Sequence, residues 1–196
     1  GVHQPRARRG GKACACLCRL SRGLFILRED VQGTRGPAGV PSEGVMELDM
    51  SRSRVALVRC PTYDPDRVYE ALKRGVALLG GVDRFVKPGE RLLLKPNLLA
   101  GEVPNKVVTT HPSVLAGCTR ILQEAGAVVA FGDSPGLDGP VRAAERAGLM
   151  EAGLQCGAEF ADFSSGRHVD YADGGLVSGF PIAEPVLEAD GLINLP

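Results

Sequence analysis

Three consecutive leucines, Leu92–Leu94, constrain the fold of this 196-residue chain more than any other feature. A strand with one face in water alternates apolar and polar residues, whereas an unbroken apolar run is typical of a strand buried on both faces. Three other short apolar segments are also predicted strands: Arg54–Cys60, Ala127–Phe131 and Gly191–Pro196. The chain therefore predicts a sheet that is covered on both sides.

Helical patterns alternate with these strands. Asp64 and Pro65 are typical of a helix cap and a first helical residue, and Pro112 is typical of the start of a second helix. Short helices are also predicted at Pro140–Ala147, between Gly148 and Gln155, and at Ala183–Ala189. The polar segment Gly166–Phe180 is predicted as a hairpin. Strands that alternate with helices predict an α/β fold, with a mostly parallel sheet and helices on both faces.

The overall charge and the composition limit the kinds of partner that the chain is expected to bind. The formal net charge is zero, so no global electrostatic attraction favours nucleic acid or a membrane surface. The chain has no tryptophan and only 5% aromatic residues, which weakens the case for base stacking. The sequence also lacks an apolar run of the roughly 20 residues that a membrane helix needs. We therefore expect neither nucleic acid nor a membrane as a partner.

The six cysteines do not suggest a disulfide framework. Cys14, Cys16 and Cys18 alternate in a basic segment, while the other three stand singly in segments that are predicted to pack. Metal sites usually place two to four residues between paired cysteines, so chance composition explains the "CACLC" run better than a metal site does. We expect a cytoplasmic protein with reduced thiols and no metal ligands in this chain.

The first 49 residues differ from the rest of the chain. Residues 1–23 carry six basic residues and no acidic residue. A signal peptide is an alternative interpretation, since Arg8–Arg9 precedes apolar residues, but later arginines interrupt that apolar stretch. We favour a disordered or non-native leader over residues 1–49, followed by an α/β domain over residues 50–196.

Polar residues follow the predicted strands at the point where each strand ends. Lys95 and Asn97 come directly after the leucine run. Asp133 and Ser134 follow the next strand along the chain, and Asn194 lies near the end of the last strand. The carboxyl ends of parallel strands share one edge of a sheet, where α/β proteins bind their ligands. We therefore expect these groups to converge on one site.

Each candidate group has a functional and a structural interpretation. Lys95 suits a phosphate or a carboxylate, or it simply ends a strand in solvent. Thr110 and His111 begin a helix whose free N–H groups and dipole attract anions, although both residues are also ordinary caps. His111 also suits a general base or a metal ligand. Asp133 lies in a tight turn that suits a phosphate, a metal or a hydroxyl group, or that only connects a strand to a helix. The sequence contains none of the standard nucleotide-binding or serine-hydrolase motifs.

Five segments, in a fixed order, resemble one known family. The segments "LLLKPNLL", "TTHPSV", "LQEAGA", "GDSPG" and "LEADGLINLP" are similar to motifs of the DUF362 family, whose function is unknown and whose members are often described as iron–sulfur proteins. The resemblance covers about Arg54 to Pro196. It implies that six residues match polar motif positions of the family: Lys95, Asn97, Thr110, His111, Asp133 and Ser134.

The resemblance also implies that this chain is an N-terminal fragment. Family members commonly continue with a Lys-x-Lys-Thr-His motif and a long second half, and many carry a ferredoxin-like C-x-x-C-x-x-C-x-x-x-C-P module. The sequence up to Pro196 contains neither pattern. We therefore expect a sheet that is incomplete at its C-terminus, no cofactor in this chain, and a [4Fe–4S] cluster only in the missing region or in a ferredoxin-like partner.

Two classes of function remain open at this point. The first is a redox-associated protein or enzyme that binds an anionic small molecule at the strand ends. The second is a non-catalytic domain for small-molecule binding or assembly. The resemblance names no reaction, so the sequence does not decide whether the protein is an enzyme.

Overall fold

The computed structural model describes residues 55–170 and 179–196, and it gives the backbone of three strands closer to the N-terminus. These are β1 (Cys14–Arg19), β2 (Gly23–Arg28) and β3 (Gly44–Val45). Most of the predicted leader lies outside the described residues, as do residues 171–178 of the predicted hairpin. The domain boundary at residue 50 therefore stays a prediction.

Seven further strands are described, and most of them belong to one mostly parallel sheet. They are β4 (Val55–Arg59), β5 (Arg91–Pro96), β6 (Val128–Phe131), β7 (Glu159–Phe160), β8 (Gly166–Asp170), β9 (Gly179–Ala183) and β10 (Gly191–Leu195). Strands β10, β5, β6 and β7 are neighbours in that order and pair in parallel, with Leu94 opposite Ile193 on one side and Phe131 on the other. Strand β1 pairs antiparallel with β10, and β2, β4 and β3 complete an eight-stranded sheet. Strands β8 and β9 pair separately as an antiparallel hairpin. The predicted α/β class is confirmed.

Helices connect the strands, and local signals set their ends. They are α1 (Pro65–Leu78), α2 (Pro112–Glu124), α3 (Pro140–Arg146), α4 (Leu149–Gln155) and α5 (Glu184–Glu188), with 3₁₀ turns at Val82–Arg84 and Pro104–Lys106. Asp64 caps α1, because its carboxylate accepts a hydrogen bond from the Arg67 N–H at 3.1 Å. Helix α2 ends just before Gly126, whose φ of 86° favours glycine. Caps, prolines and glycines act within a few residues of their own position, so the sequence could predict these boundaries.

The two faces of the sheet are covered unequally. Leu92 and Leu94 lie in a large core with α1 and α2. Leu93 points to the other face, where the described residues form only a small buried cluster with Ala130 and Ala161 beside α5. A cavity of about 310 Å³ remains between α5 and this face. The leucine run is buried on both faces, as predicted, but one face holds most of the core.

The parallel strands place their carboxyl ends on a common edge of the sheet. Strand β5 ends at Pro96 and β6 at Phe131, and their neighbour β10 ends at Leu195. The chain returns from β5 through a loop that leads into α2, so the start of α2 lies on the same edge. Every candidate residue chosen from the sequence follows one of these strands, lies near its end, or precedes this helix.

Candidate functional site

Lys95 and Asp133 form an ion pair at the carboxyl edge. The Nζ of Lys95 lies 2.7 Å from Oδ1 of Asp133, and the other carboxylate oxygen accepts a hydrogen bond from the Leu98 N–H at 2.9 Å. The Asp133 side chain is 6% exposed, whereas that of Lys95 is 38% exposed. An ammonium group has three donors, so Asp133 fixes the position of Lys95 and leaves donors for solvent or a ligand.

Asn97 and Thr110 join the end of β5 to the start of α2. The Asn97 N–H donates to the Thr110 hydroxyl oxygen at 2.8 Å, and the Thr110 N–H donates to the Asn97 carbonyl at 3.1 Å. The Thr110 hydroxyl in turn donates to the carbonyl of Leu195 at the end of β10. The Asn97 side-chain amide donates to the Val108 carbonyl at 3.0 Å. These bonds make Asn97 and Thr110 a structural link between two strands and a helix.

His111 is the N-cap of α2. Its Nδ1 accepts a hydrogen bond from the Ser113 N–H at 3.2 Å and lies 2.8 Å from the Ser113 hydroxyl oxygen. The ring stacks on Tyr63, with a centroid separation of 3.9 Å and an interplanar angle of 14°. Burial lowers the pKa of His111, because the charged imidazolium loses solvation. The ring is therefore neutral at neutral pH, with its proton on Nε2 while Nδ1 accepts.

The first turn of α2 differs from the expectation of free N–H groups. Pro112 has no N–H, and the Ser113 N–H is bound by the His111 ring. The N–H groups of Val114 and Leu115 donate to the His111 carbonyl, at 2.9 and 3.4 Å. His111 therefore satisfies the donors that an anion would otherwise use, and Lys95 is the better candidate for direct contact with an anion.

The turn that carries Asp133 has a restricted backbone. A Cβ on Gly132 would collide with the Ala161 carbonyl oxygen and lie 2.9 Å from the Phe163 ring. The Gly136 N–H donates to the Leu99 carbonyl at 2.8 Å, which ties this turn to the loop after β5. Ser134, between these two anchors, is exposed. Its hydroxyl group is therefore accessible beside the buried carboxylate.

The six candidate residues fall into two groups along one edge. Lys95 and Asp133 are in direct contact, with Ser134 next to them in the chain. The second group consists of Asn97, Thr110 and His111, which lie at the junction of β5, β10 and α2. In residues 55–170 and 179–196, no hydrogen bond or ion pair joins Lys95 to His111. Asn194 lies opposite Lys95 in the register of β10 and β5, so the two side chains emerge on the same face.

A comparison with protein families matches residues 92–196 to one family, described as a domain of unknown function (DUF362). The matched segment includes the Lys95–Asp133 pair and the start of α2. The chain belongs to the DUF362 family. The resemblance found in the sequence motifs is therefore confirmed.

This DUF362 chain also has a curated relative. Over 142 residues it is 34% identical to the thylakoid-associated protein sll1697 of Synechocystis sp.. The alignment covers 72% of this chain but 44% of that protein, so the chain spans less than half the length of its relative. No solved structure matches the chain.

Tyr63 was not among the residues predicted from the sequence, although the fold places its ring against His111. Tyr63 lies four residues after the end of β4, and its ring stacks on the imidazole that caps α2. Its position after a strand, in the segment "PTYDP", was the available signal, because that position puts a side chain at the carboxyl edge. The stacking partner could not be read from the sequence, since 48 positions separate residues 63 and 111.

An exposed apolar rim borders the ion pair. We use this name for five side chains in the two loops that follow β5 and β6: Leu99, Val103, Val107, Val108 and Leu137. Leu99 and Val107 have φ values of 49° and 56°, which residues with a Cβ rarely adopt. Leu137 is 89% exposed. Strained backbone that presents apolar side chains to solvent is typical of a surface with a function.

The described cysteines do not form a metal site. Cys60 and Cys118 are buried, Cys156 is half-buried, and burial raises the pKa of the Cys118 thiol. The part of the chain that the structure describes contains no group of three His, Cys, Asp or Glu side chains able to hold a metal ion. These residues therefore do not fit an iron–sulfur cluster.

The described helices are too short or too polar to cross a membrane.

Proposed function

We propose that this DUF362 chain binds an anionic small molecule at the carboxyl edge of its sheet, with Lys95 as the main contact. The observation that carries the proposal is the asymmetric burial of the ion pair, in which a buried Asp133 carboxylate holds a partly exposed ammonium group. A lysine that only ended a strand would not need a buried carboxylate to position it. Its remaining donors suit a carboxylate or phosphate group.

The neighbouring groups have smaller roles in this proposal. The exposed Ser134 hydroxyl and the Nε2–H of the neutral His111 are uncharged donors for further ligand oxygens. Asn97 and Thr110 hold the strand ends and the start of α2 in position, because their polar groups form hydrogen bonds within the protein. The proposal therefore assigns binding to Lys95, Ser134 and His111, and positioning to Asp133, Asn97 and Thr110.

A binding test needs a variant that keeps the fold. Lys95→Met alone leaves a buried carboxylate without its cation, so the better variant combines Lys95→Met with Asp133→Asn. Inorganic phosphate and malonate, titrated into the chain by NMR, are the probes. We expect the double variant to bind both probes more than about tenfold more weakly, equivalent to about 1.4 kcal/mol. Lys106→Met is the matched control, because Lys106 is an exposed lysine in the adjacent loop.

The outcomes separate binding from structure. Loss of probe binding in the double variant, with wild-type binding in Lys106→Met, supports the site. The proposal is overturned if the double variant binds both probes normally, or if Lys106→Met loses as much affinity.

The redox association is a separate part of the proposal. It places a [4Fe–4S] cluster in a ferredoxin-like module outside the described residues or in a partner, since the described side chains do not gather a set of metal ligands. Iron and sulfide analysis of a full-length relative tests this part. A full-length protein that is purified anaerobically and contains neither iron nor sulfide would contradict it.

We also propose that the protein acts in the cytoplasm and does not bind nucleic acid. The zero net charge supports the absence of nucleic-acid binding, and the unpaired spacing of the cysteines supports a reducing compartment. A relative bears the name of a thylakoid-associated protein, so fractionation of cells that contain the full-length protein is the decisive measurement. Recovery in the membrane fraction would overturn the cytoplasmic assignment.

The apolar rim favours a second candidate function, a non-catalytic assembly domain. Its exposed apolar side chains and strained backbone suit a protein contact better than they suit contact with water. Sedimentation of a full-length relative that carries serine at the positions of Leu99 and Leu137 tests this candidate. If the variant forms the same complexes as the wild type and still binds the anion, the result favours small-molecule binding over the assembly function.

A further inference from the structure

A second cavity lies at the carboxyl end of β4. It has a volume of about 540 Å³ and is lined by residues between Arg59 and Arg74. The end of β4, the following loop and the first turns of α1 form its walls. A volume of this size falls within the range of about 300–1,000 Å³ that small-molecule sites occupy. The cavity is thus built within one strand–loop–helix unit, separate from the Lys95–Asp133 pair.

The described lining of this cavity carries more basic than acidic side chains. Arg67 and Arg74 lie on α1 with Glu70 between them, and Arg59 lies at the end of β4. Arg67 and Arg74 are seven residues apart on α1, so they share a helix face and are separated by about 10 Å along the axis. This spacing suits an elongated anion that is held at both ends.

Two of these arginines lack a carboxylate partner in the described part of the chain. Glu70 is three residues from Arg67 and four from Arg74, positions at which helical ion pairs commonly form. Among residues 55–170 and 179–196, however, neither arginine has a carboxylate oxygen within 4.0 Å. Lys95 differs, because Asp133 neutralises it. In the described part of the chain, Arg67 and Arg74 therefore keep guanidinium groups that no ion pair neutralises.

The loop of the cavity is held in place without using all its donors. The Cys60 thiol donates to the Thr62 carbonyl, with 3.2 Å between sulfur and oxygen. The Thr62 hydroxyl oxygen accepts a hydrogen bond from the Asp64 N–H at 3.1 Å. This arrangement leaves the Thr62 hydroxyl hydrogen directed to another acceptor, so a ligand oxygen can receive it.

We propose that this cavity binds a small molecule with two linked phosphate groups. Guanidinium groups bind phosphate through paired N–H donors, and two arginines about 10 Å apart on the helix suit a chain of phosphates better than a single one. The described lining residues include no aromatic side chain to stack on a base. Recognition is therefore directed to the diphosphate part of the ligand.

Tyr63 couples this cavity to the site proposed above. Tyr63 follows the lining residue Thr62 and stacks on His111 at 3.9 Å. A ligand that accepts a hydrogen bond from Thr62 changes the surroundings of the neighbouring Tyr63 ring, which stacks on His111. The NMR signals of the His111 ring are therefore expected to respond to a diphosphate that does not touch the imidazole.

Pyrophosphate is the probe for the test, and the full chain is titrated by calorimetry and NMR. We expect Arg67→Gln combined with Arg74→Gln to weaken pyrophosphate binding by more than about tenfold, and high salt to weaken binding to the wild type. Glu70→Gln should strengthen binding by about two- to threefold, since it removes the opposing charge. Arg142→Gln is the matched control, because Arg142 is an exposed arginine on α3, away from the cavity.

These outcomes also separate the cavity from the Lys95 site. Loss of pyrophosphate binding in the arginine double variant and a gain in Glu70→Gln support the inference. Glu70→Gln keeps both arginines, so a failure of the arginine variant to fold does not remove the test. Wild-type binding in the arginine variant, or weaker binding in Glu70→Gln, overturns the inference. If Lys95→Met with Asp133→Asn abolishes pyrophosphate binding while the arginine variant retains it, the Lys95 site binds the diphosphate and the cavity does not.

Discussion

Leu93 and Leu94 are adjacent in β5 and equally buried, yet they face different surroundings. Leu94 packs into the core under α1 and α2, whereas Leu93 packs into a small cluster beside α5, next to a cavity. Side chains alternate along a strand, so Lys95 emerges on the same face as Leu93. The thickly covered face supplies most of the core, and the thinly covered face leads to the Lys95–Asp133 pair.

This difference shows how one strand serves two purposes. A packed core tolerates little change, because each side chain there contacts many neighbours. A thinner face leaves room for a charged side chain to reach solvent. Predictions that compare the two faces therefore test whether stability and the candidate site are separated in this way.

The largest expected effect is at Leu94. Leu94→Ala should lower the free energy of unfolding by about 3–4 kcal/mol, because the surrounding core cannot close the cavity that remains. Leu93→Ala should cost about 2 kcal/mol, since its neighbours are fewer and a cavity already lies nearby. Urea denaturation of both variants measures the difference. Equal losses, or a greater loss for Leu93→Ala, would contradict the prediction that the face with Leu94 contributes more to stability.

The turn that carries Asp133 provides the next test. Gly132→Ala should destabilise the protein by about 2 kcal/mol, because the added methyl group meets the Ala161 carbonyl and the Phe163 ring. Gly136→Ala is the matched control in the same turn, since its nearest contact would be 3.9 Å away, at the Leu99 carbonyl. Thermal unfolding should separate the two variants. If Gly132→Ala lowered the melting temperature no more than Gly136→Ala, the turn would be able to shift without loss of stability.

The ion pair should have a smaller effect on stability. Lys95→Met should cost about 1–2 kcal/mol, because the Asp133 carboxylate stays buried without its cation while the lysine was itself partly exposed. Adding Asp133→Asn should recover most of this loss, and the double-mutant cycle measures the coupling free energy. Without such recovery, Lys95 would have to stabilise the fold through contacts other than Asp133.

The smallest effect concerns His111 and pH. Because burial lowers the pKa of His111 in the folded protein, the unfolded chain takes up the proton first as pH falls below the ordinary value of about 6.5. This group therefore reduces stability as pH falls through that value toward its folded pKa, and it has no effect at higher pH, where both states are neutral. His111→Asn keeps a good cap, so we expect a change in stability at pH 8 of less than about 1 kcal/mol.

The measurement is the difference in unfolding free energy between wild type and His111→Asn from pH 8 to pH 5. The difference should shift in favour of the variant as pH falls. A constant difference would mean that His111 has the same pKa in the folded and unfolded chains.

Local patterns were enough to predict the main helices and strands of residues 55–196 and the edge that carries the candidate site. Asp64 with Pro65, and His111 with Pro112, predicted two helix starts, because capping depends on residues within one turn. The leucine run predicted a doubly buried strand, and polar residues after strands predicted a common edge. The family followed from motifs that are local in the chain.

Which charges are neutralised and which remain available depends on contacts between residues that are distant in the chain. Lys95 and Asp133 are 38 positions apart, and their contact depends on the parallel pairing of β5 with β6. Helical spacing alone would pair Glu70 with Arg74, but the structure shows no such ion pair. The unequal cover of the two faces and the Tyr63–His111 stack likewise depend on how distant elements pack. Strand order and side-chain packing set the contacts between distant residues, and local sequence patterns specify neither of them.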